Sequence, residues 1–131
     1  MIFIDSNVFM YVVGSPHPLK EEAREFLRGA YEANVSLCTS AEVLQELFHA
    51  YIPAGRQRSL DAALSLVDGY GVEVWPLERE DVIAARQLHL QYPQLSARDL
   101  CHLASCRRRN VREIMTFDRA LASVFGSPPI P

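Results

Sequence analysis

The first seven residues combine a short apolar run with an abrupt polar ending. Residues 2–4 (Ile-Phe-Ile) favour β structure, and residues 5–7 (Asp-Ser-Asn) follow at once. Such a run predicts a strand in a parallel sheet that is covered on both faces. In open α/β sheets, ligands bind beyond the carboxyl ends of the strands. The sequence therefore places Asp5 at a candidate binding edge, although Asp5 or Ser6 could equally serve only to cap the following helix.

Strands and helices alternate along the rest of the chain. Predicted strands cover residues 2–4, 35–38, 72–75 and 113–116, and predicted helices cover residues 8–13, 18–34, 41–52, 57–70, 78–91, 97–109 and 120–125. This alternation favours an α/β fold with a parallel sheet, helices on both faces and right-handed crossovers. Thr39 and Ser40 are N-cap candidates for the third helix. The proline-rich tail, residues 126–131, predicts at most a short edge strand, because proline lacks the ladder donor.

Length and composition restrict the class of protein. The 131 residues suit a single domain over residues 1–131, and a composition of 49% hydrophobic and 22% charged residues is ordinary for a globular protein. No stretch is long enough to span a membrane, and Asp5 interrupts the N-terminal apolar run too early for a secretory signal, so we expect a cytoplasmic protein. The net charge of −3 argues against a surface that binds nucleic acid everywhere. Three cysteines lack metal-binding spacing, and we expect them to be buried thiols: Cys38, Cys101 and Cys106.

Four carboxylates converge on one edge of the predicted sheet. The carboxyl ends of parallel strands and the amino ends of the following helices share an edge. Asp5 ends the first strand, and Asp118 follows the fourth. Asp99 lies in the first turn of a helix that Ser96 can cap. Glu46 lies in the second turn of the helix after the second strand, about 7 Å from its start at a rise of 1.5 Å per residue.

Each of these acids also has a purely structural interpretation. Ser96 and Asp99 form a Ser-x-x-Asp pattern that resembles a capping box. Asp118 could cap the last helix, and Glu46 could be a solvated helix residue. Glu42 competes with Glu46 for a functional role, but Glu46 lies nearer the edge of the apolar stripe and is better placed to reach a cleft.

A converging acidic cluster requires cations. Like charges raise one another's pKa values and destabilise the fold. Mg²⁺ and Mn²⁺ prefer oxygen ligands and would resolve this conflict. Two such ions about 3.5–4 Å apart can activate a water and stabilise the leaving oxygen in phosphodiester cleavage. The acidic edge therefore predicts a metal site.

The chain resembles PIN-domain proteins, and among them most the VapC-type ribonuclease toxins of type II toxin–antitoxin systems. Four motifs carry the resemblance: IDSN at 4–7, VLQEL at 43–47, ARDLCHLA at 97–104 and TFDR at 116–119. Each motif alone is weak, but four in this order and at these spacings are specific. The resemblance implies a three-layer α/β/α sandwich around a central parallel sheet of four to five strands. It also implies a single PIN-like nuclease domain and a metal-dependent endoribonuclease.

The resemblance assigns roles to particular residues. It implies a catalytic acidic quartet of Asp5, Glu46, Asp99 and Asp118. It implies that Asn7 and Thr116 are polar positions that assist the site. It further implies a homodimer that a neighbouring antitoxin protein silences. We hypothesise that Asp5, Asp99 and Asp118 hold Mg²⁺, or Mn²⁺ in its place, and that Glu46 orients or deprotonates the attacking water.

Arginines beside the acids are candidates to hold RNA. Arg98 and Arg119 adjoin the predicted metal ligands and could contact the scissile phosphate. The basic run at residues 107–109, with Arg112, falls at the opposite edge, where it complements the helix dipole.

Two other classes of function remain open from the sequence. One is a catalytically inactive PIN-like module that binds RNA or protein. The other is a Mg²⁺-dependent phosphatase or DNA nuclease on a similar sheet. The four histidines show no recurrent metal-ligand spacing, and neither a Ser-His-Asp order nor a phosphate-binding glycine-rich loop is present. Hydrolase triads and P-loop chemistry are therefore poorly supported.

Overall fold

The computed structural model describes residues 1–125, so the predicted tail strand lies outside the described residues. Four strands occur in this range: β1 (Ile2–Ile4), β2 (Leu37–Ser40), β3 (Glu73–Trp75) and β4 (Glu113–Met115). The helices of the same range are α1 (Ser6–Val13), α2 (Pro18–Glu32), α3 (Ala41–Tyr51), α4 (Gln57–Gly69), α5 (Arg79–Gln91), α6 (Ala97–Arg108) and α7 (Arg119–Phe125).

The strands form one parallel sheet in the order β3-β2-β1-β4. Ile2 pairs with Leu37 on one side, and Ile4 pairs with Met115 on the other. The chain runs outward from β1 to β2 and β3 and then crosses to β4 on the other side of β1. The strand order therefore reverses between β1 and β4, which is where open α/β sheets bind ligands. The helices flank this sheet, and the predicted three-layer α/β/α sandwich is confirmed.

Two apolar clusters hold the layers together. The larger cluster joins the sheet to α1, α2, α3 and α4 and includes Phe3 and Ile4, both fully buried. The smaller cluster joins α5, α6 and α7. Ile114 of β4 and Phe125 of α7 contact both clusters, so β4 connects the two halves of the core. The burial of β1 on both faces explains why its sequence is apolar without interruption.

The predicted bounds of β2 and α1 are wrong by two residues. The sequence predicts β2 at residues 35–38, but the strand is Leu37–Ser40, and Val35 is exposed. Thr39 is not an N-cap, because its hydroxyl donates to the carbonyl oxygen of Ile4 at 2.8 Å inside the sheet. Ser40 ends the strand and caps α3, and its Oγ accepts from the Val43 amide at 3.3 Å. The helix α1 starts at residue 6 rather than residue 8.

The basic run at the end of α6 makes tertiary contacts. Arg108 and Arg109 donate to Asp81 Oδ1 at 2.6 and 3.0 Å. Asp81 is fully buried in the first turn of α5. The Arg109 guanidinium also lies over the Trp75 ring, 4.8 Å from its centroid. These arginines therefore join α6 to α5, a contact that the sequence did not predict.

Burial differs among the three cysteines. Cys38 and Cys106 are buried as predicted, and Cys101 is only half-buried. Burial raises the pKa of Cys38 to about 12, so this thiol stays protonated and unreactive at neutral pH. Among residues 1–125, no helix is both long and apolar enough to cross a lipid bilayer.

The larger cluster gives a direct test of the described core. Leu27 of α2 is fully buried, and we expect Leu27→Ala to lower the free energy of unfolding by about 2–5 kcal/mol through lost contacts and a cavity. Leu90 of α5 is 75% exposed, and Leu90→Ala should change it by less than about 0.5 kcal/mol. Urea unfolding followed by circular dichroism measures both. Equal effects would contradict the burial described for Leu27.

Candidate active site

Asp5 lies between the end of β1 and the start of α1, and it is 5% exposed. Its Oδ1 accepts from the Ser6 amide at 2.8 Å, so Asp5 caps α1. Its Oδ2 accepts from the Thr116 hydroxyl at 2.6 Å. The capping interpretation of Asp5 is therefore confirmed, and its carboxylate also contacts the residue that follows β4. Ser6 is not the cap, because its hydroxyl donates instead to Glu46 Oε2 at 2.8 Å.

Thr116 and Asn7 connect the ends of β1 and β4. Thr116 follows β4 directly, and its Oγ1 accepts from Asn7 Nδ2 at 3.2 Å and from the Asp118 amide at 3.1 Å. Asn7 Oδ1 in turn accepts from the Phe117 amide at 3.2 Å. Asn7 Nδ2 lies 3.5 Å from Asp5 Oδ2. Both residues named as assisting positions thus surround the carboxylate that they were expected to assist.

Glu46 and Glu42 of α3 have different partners. Both oxygens of Glu46 are engaged: Oε2 by Ser6, and Oε1 by His102 Nε2 at 2.6 Å. Glu42 instead lies 3.5 Å from Arg98 Nε in an ion pair. The edge position of Glu46 on its helix accounts for this difference.

His102 is the residue of this site that the sequence analysis missed. Its side chain is 1% exposed, its ring centroid lies 5.4 Å from that of Phe3, and its Nε2 lies 3.9 Å from Asp5 Oδ1. The sequence does contain a signal for His102. His102 follows Asp99 by three residues, so the two side chains share one face of α6. A search for histidines at recurrent metal-ligand spacings does not detect such a pair.

Asp99 and Asp118 are half-buried at the amino ends of α6 and α7. The Asp99 amide donates to Ser96 Oγ at 3.1 Å, and Asp118 Oδ1 accepts from the Leu121 amide at 3.1 Å. Ser96 therefore caps α6, and the predicted capping role of Asp118 at α7 is confirmed. The charges of Asp118 and Asp5 nevertheless act on Asp99. Among the described residues, the group that could together hold a metal ion consists of Asp5, Glu46 and His102. One possible ligand atom of each lies within 4.8 Å of the others.

The environment of the edge raises the pKa of some acids and lowers that of another. Burial raises the pKa of Asp5, and hydrogen bonds and His102 offset this only in part. Burial also raises the pKa of Asp99, and the charges of Asp118 and Asp5 add to the increase. Burial alone would raise the pKa of Glu46, but the hydrogen bond and charge of His102 outweigh it, so this pKa lies below its ordinary value.

The residues of the edge fit a hard divalent cation. Asp5 and Glu46 offer carboxylate oxygens within 4.8 Å of each other, and such oxygens are the donors that Mg²⁺ and Mn²⁺ prefer. A cation would also offset the burial and the like charges that raise the pKa values of Asp5 and Asp99. The arrangement can therefore support metal-assisted hydrolysis of a phosphate ester.

A parallel α/β/α fold with a carboxylate cluster at its topological switch point is the arrangement of an acidic, metal-dependent hydrolase. The PIN domain family matches residues 2–125 of the chain. Ribonuclease VapC23 of Mycobacterium tuberculosis is 56% identical over 97% of this chain and 100% of its own length. Ribonuclease VapC13 of the same species is 41% identical over 96% of each chain. This chain belongs to the PIN domain family, with VapC ribonucleases among its relatives.

A solved structure supports the fold independently. The crystal structure of Mycobacterium tuberculosis VapC20, described as a sarcin-ricin loop cleaving toxin, superposes with a TM-score of 0.77 over 95% of each chain. Its sequence is 16% identical to this one. At that identity, the likeness establishes the shared fold alone.

Thr116 provides a test of how the site holds Asp5. We expect Thr116→Val to weaken Mn²⁺ binding roughly 10-fold, because loss of a hydrogen bond to a metal-ligating carboxylate typically has that effect. Thr39→Val is the matched control, since Thr39 is also buried but donates to a backbone carbonyl. Isothermal titration calorimetry measures both affinities. Unchanged Mn²⁺ affinity in Thr116→Val would exclude this role for the hydroxyl.

Proposed function

We propose that the chain is a metal-dependent endoribonuclease of the VapC type, the toxin of a type II toxin–antitoxin pair, in a single catalytic domain. The observation that carries this proposal is the buried Asp5 at the sheet's switch point, clustered with Glu46 and acting through its charge on Asp99. The relative of 56% identity that is named a ribonuclease supports RNA as the substrate. The reaction is hydrolysis of a phosphodiester bond, in which a water attacks phosphorus and the ribose oxygen leaves.

The acids of the edge divide into ligands and a supporting group. Asp5, Asp99 and Asp118 would hold Mg²⁺, and Mn²⁺ could replace it. When bound, the ion lowers the pKa of water and neutralises charge on the phosphate. Glu46 completes the negative site and orients the attacking water. Thr116 and Asn7 keep the Asp5 carboxylate in one orientation, since both bond to the same small network.

Arg119 and Arg98 differ as candidates for RNA contact. Arg119 is exposed at the start of α7 and forms no salt bridge within residues 1–125. Arg98 is already paired with Glu42, although its side chain is 42% exposed. We therefore propose that Arg119 makes the main contact with the backbone phosphate and that Arg98 contributes less.

The proposed partners are a cognate antitoxin and a second copy of the chain. The VapC names of the relatives support this assignment, and the RNA substrate would place the activity in the cytoplasm. Large apolar side chains are exposed on two helices: Phe48 on α3, and Val82, Ile83 and Leu90 on α5. Such side chains offer surface for protein contacts. Light scattering after gel filtration measures whether the free chain forms a dimer.

Asp5→Asn is the decisive variant for the proposed activity. Asparagine is also a good N-cap, so the variant should fold. We expect Mg²⁺-dependent cleavage of total RNA to fall by more than about 100-fold, since removal of one charge-stabilising group at an active site has that effect. Asp61→Asn, an exposed position in α4, is the matched control and should retain activity.

The same assay separates the alternatives. It is run with and without Mg²⁺ or Mn²⁺, on antitoxin-free protein, with RNA, DNA and a phosphate monoester as substrates. Full RNA cleavage by Asp5→Asn would refute the site. Turnover of DNA or of the monoester in place of RNA would indicate a different hydrolase, and metal binding without turnover would indicate a binding module.

Arg119→Gln tests the proposed RNA contact. We expect weaker RNA binding and a smaller slope of log Kd against log salt, by about 0.7–1, because one phosphate contact is lost. Arg58→Gln, an exposed position in α4, should leave the slope unchanged. Fluorescence anisotropy with a labelled single-stranded RNA at several salt concentrations measures both. An identical slope for Arg119→Gln and the unaltered chain would exclude the contact.

A further inference from the structure

We propose that His102 is a positioning residue that, together with Ser6, holds the Glu46 carboxylate in a fixed place beside Asp5. This inference rests on the proposed function, because it concerns the same acidic edge. The two donors come from different helices, Ser6 from α1 and His102 from α6, while Glu46 belongs to α3. One carboxylate thus connects three helices at the point where the site is built.

The contacts at Glu46 leave it little freedom. Ser6 Oγ donates to Oε2 at 2.8 Å, and His102 Nε2 lies 2.6 Å from Oε1. With one donor on each oxygen, rotation of the carboxylate would break both hydrogen bonds. The Glu46 carboxylate is therefore a negative charge in a fixed position, and this fixed position allows it to orient a water.

The geometry also decides which atom of His102 carries the hydrogen. At 2.6 Å, a bare Nε2 would place its lone pair against a carboxylate oxygen. Nδ1 is buried and has no hydrogen-bond partner among residues 1–125. A proton on Nδ1 alone would therefore leave an unpaired buried donor and a repulsive contact at the other nitrogen. Nε2–H is the donor to Glu46 in either the neutral or the charged ring.

The ring of His102 is itself held in place. Its side chain is 1% exposed, and its centroid lies 5.4 Å from the centroid of Phe3 in β1. Nε2 also lies 3.9 Å from Asp5 Oδ1, so the N–H group stands between two carboxylates. The N–H group in this position allows the Asp5 and Glu46 carboxylates to lie close together, although their like charges repel each other. A buried pair of this kind is a weak source of net stability, which favours a role in the site.

The test compares two replacements of His102. Phenylalanine keeps an aromatic ring against Phe3 but lacks the N–H group, whereas glutamine can present an amide N–H near the position of Nε2. We expect His102→Phe to lower kcat for RNA cleavage roughly 10–100-fold with little change in KM, and His102→Gln to recover most of that loss. Equal activity of the two variants, whether both impaired or both intact, would overturn the proposal.

A double-mutant comparison shows whether His102 acts through Glu46. Mn²⁺ affinity is measured by calorimetry for His102→Phe in the unaltered chain and in a Glu46→Ala background. We expect His102→Phe to weaken Mn²⁺ binding several-fold only where Glu46 is present, and the same factor in both backgrounds would refute the coupling. Leu103→Ala is the control, because Leu103 is equally buried in α6 but belongs to the smaller cluster, and its effect should not depend on Glu46.

Two further measurements keep the outcomes distinct. Thermal unfolding identifies a variant that fails to fold. If His102→Phe fails to fold, Ser6→Ala replaces it. Ser6 donates the other hydrogen bond to Glu46 and does not belong to the apolar core. Unchanged kcat and Mn²⁺ affinity in Ser6→Ala would then overturn the proposal. If the unaltered chain does not cleave RNA, the proposed function fails, and the Mn²⁺ affinities still decide the role of His102.

Discussion

The parallel pairing of β1 with β4 is the constraint on which the rest of the site depends. It brings Asp5 within 2.6 Å of Thr116, a residue 111 positions away in sequence. Asn7 and Asp118 join the same hydrogen-bond network because they follow the same two strands. The strand order reverses at this pair, and open α/β sheets bind ligands at such a switch point. A change that separated β1 from β4 would therefore remove the core contacts and the candidate metal site together.

The sequence predicted the sheet, the helices and the acidic edge for a physical reason. Strand polarity in an α/β fold decides which loops share an edge, so the position of an acid relative to its strand or helix decides where it lies. Asp5, Asp99 and Asp118 needed only that rule. The position of Glu46 required a second rule, which is the direction in which a helical side chain leans from its backbone. The choice of Glu46 over Glu42 is consistent with the contacts of the two side chains, since Glu46 bonds to Ser6 and Glu42 pairs with Arg98.

What the sequence did not reveal depends on contacts between distant segments. Thr39 has the chemistry of a helix cap, but its hydroxyl bonds to Ile4 in the neighbouring strand, and β2 extends to include it. Asp81 resembles an ordinary first-turn acid, yet it is buried beneath two arginines at the carboxyl end of α6. His102 resembles a core residue on an apolar face, and only the fold places Glu46 against it. In each case the deciding partner lies in a distant segment, and a local sequence pattern does not show it.

The acids of the site also explain how this edge can fold before any cation arrives. Asp5, Asp99 and Asp118 all lie at the amino ends of helices, where unpaired amides and the helix dipole favour negative charge. Glu46 does not lie at the amino end of a helix, and hydrogen bonds to Ser6 and His102 stabilise its negative charge instead. These contacts are insufficient at Asp5 and Asp99, because burial and like charges still raise both pKa values. The fold thus holds the acids in place yet leaves part of their charge uncompensated, and this remainder is what a divalent cation would neutralise.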